Sequence, residues 1–191
     1  MRILFCMVTS AWLRRAVYVV GLLPAICFAQ IGTNLPRAGD IPAQLKLAKI
    51  IQGPPLNEVS WDTLKGKVVV LEFWNTGCVP CIEAIPHLND LVEHFRDKPV
   101  VFLSVSDDAE ERLSTFLREH PMKSWIALDG TNNATERAFH LKGYGLIVLI
   151  DAKGRVAGFT LPALLEQKHL DRILAGQSAG LPNLKFTSPA E

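Results

Sequence analysis

The stretch VVVLEFWNTGCVPCIEAIPHL, residues 68–88, decides how the rest of the chain is read. Val68 to Trp74 is β-branched and almost wholly apolar, the composition of a central strand covered on both faces. From Cys78 to Phe95 the period changes. Ile82, Ile85, Leu88, Leu91, Val92 and Phe95 recur at spacings of three and four, so the segment predicts a helix with one face on a core. Pro80 suits its first turn, and Pro86 lies inside it and should kink it. Two cysteines three residues apart therefore fall where a strand hands over to a helix, with a glutamate inside the strand.

Cysteines at i and i+3 on a first helical turn lie on one side and close together, so they can exchange between dithiol and disulfide. The free N–H groups and positive end of the helix stabilise a thiolate and lower the pKa of Cys78, which becomes the attacking sulfur. Cys81, one turn deeper, resolves the mixed disulfide. Pro80 has no N–H to lose there and stiffens the turn. Two other readings stand beside this one. The pair could be half of a zinc site, although no second pair follows, or a structural disulfide, although so short a loop constrains the unfolded chain little.

Glu72 is the second anomaly. An unpaired carboxylate in a doubly covered strand is costly when ionised, so its pKa should rise, and a group behind the helix start can accept the proton of Cys81. The alternative is a carboxylate that reaches the sheet edge or pairs with Lys65 or Lys67. Trp74, four residues before Cys78, would cover one side of the pair, and Trp61 reads as core or rim. His87 reads as a surface residue, a third metal ligand or a proton donor. His94, His120, His140 and His169 have no constellation around them.

Around this centre, Gln44–Ile51 predicts a first strand and Pro99–Val105 a further buried one. Ala109–His120 reads as an amphipathic helix, Trp125–Leu128 as a short strand and Thr131–Phe139 as a short helix. Leu146–Asp151 and Arg155–Thr160 form a hairpin across Asp151-Ala152-Lys153-Gly154, and Pro162–Leu174 is a closing helix. The resulting class is α/β, a mixed central sheet flanked by helices in three layers. In residue numbers, 1–29 is a signal peptide, 30–39 a flexible lead-in, 40–175 the single domain and 176–191 a polar tail.

The signal reading rests on Arg2, Arg14 and Arg15, the only charges of the first 29 residues, followed by the uncharged run Ala16–Ala29. Cleavage would follow Ala29, with Cys27 and Ala29 at the small-residue positions; an uncleaved signal would instead anchor the chain to a membrane. With 20 basic and 19 acidic residues in the whole chain, loss of three arginines leaves a near-neutral mature protein. That balance argues against a nucleic-acid partner. Of four cysteines, Cys6 and Cys27 leave with the signal, so Cys78 and Cys81 alone reach a compartment where disulfides form.

Over LKGKVVVLEFWNTGCVPCIEAIPHLNDL the chain resembles the exported TlpA/ResA-like thiol-disulfide oxidoreductases of the thioredoxin superfamily, in the order and spacing of strand, tryptophan, CxPC and helix. VVFLSVSDD and VLIDAKGRV extend the likeness over residues 40–175. The resemblance implies a thioredoxin-like fold facing the periplasm or secreted, which reduces disulfides of exported proteins or small disulfides. It implies no cofactor beyond the redox-active pair, and leaves the upstream electron donor unnamed. Cys78 would attack, Cys81 resolve and Glu72 occupy the buried acid position, while Trp74, Pro80, Tyr144 and Gly145 would border the substrate. No metal is expected in that reading; the alternative is a non-enzymatic module of the same fold that holds copper through Cys78 and Cys81, or a scaffold. Two departures stand out. The family often carries an acid three residues after the second cysteine, where Ala84 stands here with Glu83 one position off. The loop before the hairpin normally holds a cis-proline; here Gly143-Tyr144-Gly145-Leu146 puts Gly145 at that place. That substitution should remove the rigid edge presenting a substrate segment to Cys78, and so favour small disulfides over protein ones.

Overall fold

Val68–Trp74 forms β2, and all seven of its side chains are buried, which is what its unbroken apolar run requires. It lies in the middle of a six-stranded sheet. In the computed structural model of the protein, which describes residues 35–181 apart from 56, 58 and 142, the other elements are β1 (Leu47–Gln52), α1 (Val79–His94), β3 (Val100–Ser106), α2 (Glu110–Glu119), β4 (Trp125–Asp129), α3 (Ala134–Ala138), β5 (Leu146–Ile150), β6 (Val156–Thr160) and α4 (Gln167–Leu174). The strand order is β1-β4-β3-β2-β5-β6. The β2–β3 and β3–β4 pairs are parallel, and the β1–β4, β2–β5 and β5–β6 pairs antiparallel. No helix among the described residues is long and apolar enough to cross a membrane.

Alternation along β2 splits the core in two. Val68 and Val70 pack with Leu88 and Leu91 of α1, with Phe95 just after it, and with Leu170 and Ile173 of α4. Trp74, on the same face, meets Cys81 and Ile85 of α1 and Leu113 of α2. On the opposite face Val69, Leu71 and Phe73 pack with Val101, Leu103, Phe139 and Leu141. That second cover consists of the one-turn α3, the segment around Val59–Leu64 and the chain around Leu35–Leu45. The three layers are therefore present, with one outer layer built largely from irregular chain.

Several boundaries differ from the sequence reading. Residues 1–34 and 182–191 lie outside the described part, and with them the signal peptide and most of the tail. The described end of the lead-in is held in place: Gly39 N–H donates to the Val156 carbonyl and Val156 N–H to the Asp40 carbonyl, both within 3.0 Å. The start of the tail is likewise part of the body, because Ala179 is buried beneath α4 and Leu181 packs beside it. The predicted closing helix is two pieces, a 3-10 turn at Pro162–Leu164 and then α4. Between them Glu166 caps α4. Its side chain accepts from the His169 backbone, and its own N–H donates to His169 Nδ1 at 3.0 Å, a reciprocal cap. His169 thus has the setting that the sequence did not suggest. The short helix also starts late, after Asn132 and Asn133 in the left-handed region.

Candidate active site

Cys78 is the N-cap of α1 and Pro80 occupies its first turn. Cys81 N–H and Ile82 N–H both donate to the Cys78 carbonyl at 3.0 Å, which winds the first turn tightly enough to bring the two sulfurs together. They are bonded, 2.04 Å apart. Cys78 is half-buried whereas Cys81 is buried. No acidic residue stands in that first turn to oppose a thiolate. Pro80 and Val79 face solvent beside Cys78, Val79 with 61% of its surface exposed.

Gly145 completes the other side. A Cβ placed on it would sit 3.6 Å from Cys78 Sγ and 3.7 Å from Cys81 Sγ, so the loop before β5 lies directly against the disulfide. Its φ is +86° and its N–H donates to the Phe73 carbonyl at 2.8 Å. Proline meets neither condition, since its φ is held near −65° and it has no N–H. Here the backbone hydrogen bond to the end of β2 holds the loop, and the positive φ explains why glycine is needed. The described residues contain no cis peptide bond.

Glu72 lies on the α1 face of the sheet, between Val70 and Trp74 along β2 and near Ile85 of α1. Only 3% of it is exposed, and Ser104 Oγ donates to its Oε2 at 2.7 Å, with Ser124 Oγ a further 2.9 Å on. It pairs with neither Lys65 nor Lys67, so the ion-pair alternative is overturned; the Lys67 ammonium lies over the Trp125 ring instead. Burial pushes its pKa up to about 7, with the Ser104 hydrogen bond pulling the other way. A cavity of about 10 Å³, room for a single water, is lined by Glu72, Ile85, Leu88, Ser104 and Ser124 among others.

Trp74 is fully buried in the cluster that contains both cysteines and stacks at a tilt on Phe116, ring centres 5.6 Å apart. Its indole N–H has no hydrogen-bond partner, a cost of roughly 1–3 kcal/mol that the packing of the ring has to offset. Trp61 donates to the Ala43 carbonyl at 2.7 Å. His87 Nε2 lies 2.6 Å from the Leu165 carbonyl, so it ties α1 to the segment after β6 instead of standing free on the surface. Glu83 is exposed and Ala84 buried, so no acid on that turn faces the pair.

Sequence reasoning missed the residues that hold the two loops beside the disulfide. Asp108 accepts from Thr76 N–H at 2.7 Å and from Thr76 Oγ1 at 2.9 Å, fixing the turn that enters the CxPC segment. Asp107 accepts from Asn75 Nδ2 at 3.2 Å and from the Tyr144 hydroxyl. Glu136 Oε1 accepts from Gly143 N–H at 3.1 Å. The available signal was two consecutive aspartates at the carboxyl end of a buried parallel strand, where loops of such sheets gather functional side chains. Cys78, Cys81, Gly145 and Trp74 are brought together; Tyr144 turns its hydroxyl to Asp107, and Glu72 sits one layer deeper.

Comparison with known proteins agrees with this geometry. The sequence pattern of the AhpC/TSA family matches residues 43–159. The thiol-disulfide oxidoreductase ResA of Bacillus thuringiensis subsp. konkukian is 31% identical over 105 residues, 52% of this chain and 57% of that protein. ResA of Bacillus subtilis is 25% identical over 126 residues, 64% of this chain and 70% of that protein. The matched region thus spans little more than half the length of the first of these relatives. Among solved structures, a candidate DsbE thiol:disulfide interchange protein from Chlorobium tepidum superposes with a TM-score of 0.61 at 25% identity, covering 76% of this chain and 99% of that one. StoA from Bacillus subtilis, 20% identical with a TM-score of 0.53 over 63% of this chain and 89% of its own, shares the fold.

Proposed function

Because the chain belongs to the AhpC/TSA family, with a thioredoxin-like fold, we propose that it is a thiol-disulfide oxidoreductase exported to the periplasm or beyond, reducing disulfides of exported proteins or small molecules. The observation that carries this reading is the Cys78–Cys81 bond at the start of α1 with Gly145 against both sulfurs.

The chemistry follows from the placement of each group. In the reduced protein the half-exposed Cys78 thiolate, stabilised by the end of α1, attacks a substrate disulfide and expels one substrate thiolate. Cys81, shielded from solvent, then gives its proton toward Glu72 and attacks Cys78 Sγ. The second substrate thiolate leaves, the Cys78–Cys81 bond closes, and two electrons have passed to the substrate. A carboxyl with its pKa at about 7 is matched to that transfer near neutral pH, ionised often enough to accept and basic enough to hold the proton.

Three measurements on the mature protein test this. Alkylation of Cys81→Ser against pH should place the Cys78 thiol below the ordinary value near 8.5. The reduced wild-type protein should reduce insulin, and Cys78→Ser should not. A Cys78 that titrates as a free thiol, in a protein inert toward insulin, would sink the assignment. Stoichiometric copper on that same inert protein would establish the binding module in its place.

A further inference from the structure

Two loops form the walls of the disulfide site, and one side chain touches both. Asp107, at the end of β3, accepts from Asn75 Nδ2 through Oδ1 and from the Tyr144 hydroxyl through Oδ2. Asn75 belongs to the turn that delivers Cys78, where its own Oδ1 accepts from Gly77 N–H at 3.0 Å. Tyr144 belongs to the loop that lies on the sulfurs. Asn133 reinforces the joint, its Nδ2 lying 3.3 Å from Asp107, 3.2 Å from Glu136 and 3.2 Å from the Tyr144 hydroxyl.

We propose that Asn75, Asp107 and Tyr144 form a latch that holds the Gly143–Gly145 loop at a set distance from Cys78, and that this latch determines which disulfides the site accepts.

Three features support it. Gly143 and Gly145, with φ of +143° and +86°, flank Tyr144, and the backbone bond from Gly145 N–H to Phe73 leaves the rest of this glycine-rich loop to be ordered by side-chain contacts. Asn133 is held with φ of +54° next to Asn132 at +57°, two successive left-handed residues. Asparagine adopts that backbone readily, and from it the Asn133 Nδ2 reaches Asp107, Glu136 and the Tyr144 hydroxyl together. Burial, the hydrogen bond to Asp107 and the negative charges of Glu136 and Asp107 all raise the pKa of Tyr144, so its hydroxyl stays a donor. The latch thus supplies by side-chain bonding the stiffness that a proline supplies covalently.

The consequence for specificity depends on the oxidoreductase reading above. A protein disulfide must lay an extended segment along this loop, and gains from a loop already in place. A small disulfide needs only access to Cys78. Cutting the latch should therefore penalise the protein substrate more.

The test uses Tyr144→Phe, which removes one hydroxyl and little volume, with Asp107→Ala and the double variant. Hydrogen exchange at the Gly145 amide should quicken about tenfold in Tyr144→Phe while that of Val148 in β5 holds. The ratio of kcat/KM for insulin to that for a small aromatic disulfide should fall about tenfold, mainly through KM for insulin. The double variant should fall short of the sum of the two single effects, because both changes cut the Tyr144–Asp107 bond. Unaltered exchange at Gly145, additive effects, or equal slowing of both substrates would each overturn the latch. Should the wild-type protein reduce neither substrate, the oxidoreductase reading and the specificity role fall together, and the exchange arm alone still decides whether the latch exists.

Discussion

Glu72 is the one ionisable side chain of a strand buried along its whole length, and its chemistry and its energetic cost have the same origin. Its pKa rises from 4.5 unfolded to about 7 folded, so the fold binds the proton more tightly than the unfolded chain does. Between those values stability falls as pH rises, and above about 7 the whole penalty of holding the carboxylate is present. Glu72→Gln should therefore stabilise the protein above pH 7 by roughly 3 kcal/mol, with the gap closing as pH falls to about 4.5. Denaturant titrations across that range measure it. The same variant should accumulate mixed disulfides on Cys78 and lack the rise in resolution rate through pH 7 that proton acceptance by Glu72 predicts for the wild type. A resolution rate that keeps its pH dependence would return Glu72 to a structural role. This residue was legible in the sequence because a lone acid in an apolar run is conspicuous. Asp107 was not, because an aspartate after a strand looks like any surface loop until Asn75 and Tyr144 are seen to converge on it from positions 32 residues upstream and 37 downstream.

At the scale of elements, β2 and α1 follow from periodicity with almost no error, whereas the end of the chain does not. Apolar spacing over Pro162–Leu174 suits a continuous helix, yet Leu165 is drawn into the core and its carbonyl bonds His87, so the chain must restart at Glu166. The restart depends on His169 being neutral, since its Nδ1 accepts the Glu166 N–H. Burial lowers the pKa of His169 from 6.5, partly opposed by Glu166. A histidine whose pKa is lowered by folding binds its proton preferentially in the unfolded chain, so α4 should lose stability as pH falls below 6.5. Amide exchange in α4 should then quicken on acidification, and His169→Gln should flatten that dependence. Glu166→Ala should cost about 1 kcal/mol through loss of the cap, read from the unfolding midpoint. An α4 indifferent to pH between 7 and 5 would remove His169 from the cap.

Over the whole molecule, the folded body runs past the last helix. Ala179 is buried with Leu165, Leu170 and Ile173, and Leu181 rests on Gly158, where a Cβ would come within 2.7 Å of it. Ending the chain after Ala175 should therefore lower stability by about 2 kcal/mol, measurable as a fall in Tm with the disulfide intact. An unchanged Tm would restore the polar-tail reading. At the other end, Gly39 and Asp40 pair with Val156 on the outer edge of β6, which caps part of an edge strand that would otherwise offer free N–H and C=O groups.

The sequence by itself determined what depends on neighbours along the chain. The buried strand, the amphipathic helix, the first-turn placement of both cysteines and the anomalous carboxylate are all set by spacing, and spacing is visible in one dimension. What only the tertiary structure decided are the relations between segments far apart. Gly145 looked like a missing proline because composition reports the absence of a ring and cannot report a hydrogen bond to Phe73. The stiffness of that loop is stored in Asn75, Asp107, Asn133 and Tyr144, four residues from four loops, none of them periodic, hydrophobic or otherwise marked. Polar contacts across a sheet's carboxyl end carry no local signature, because each partner pays its desolvation only once the strands have brought the others within reach.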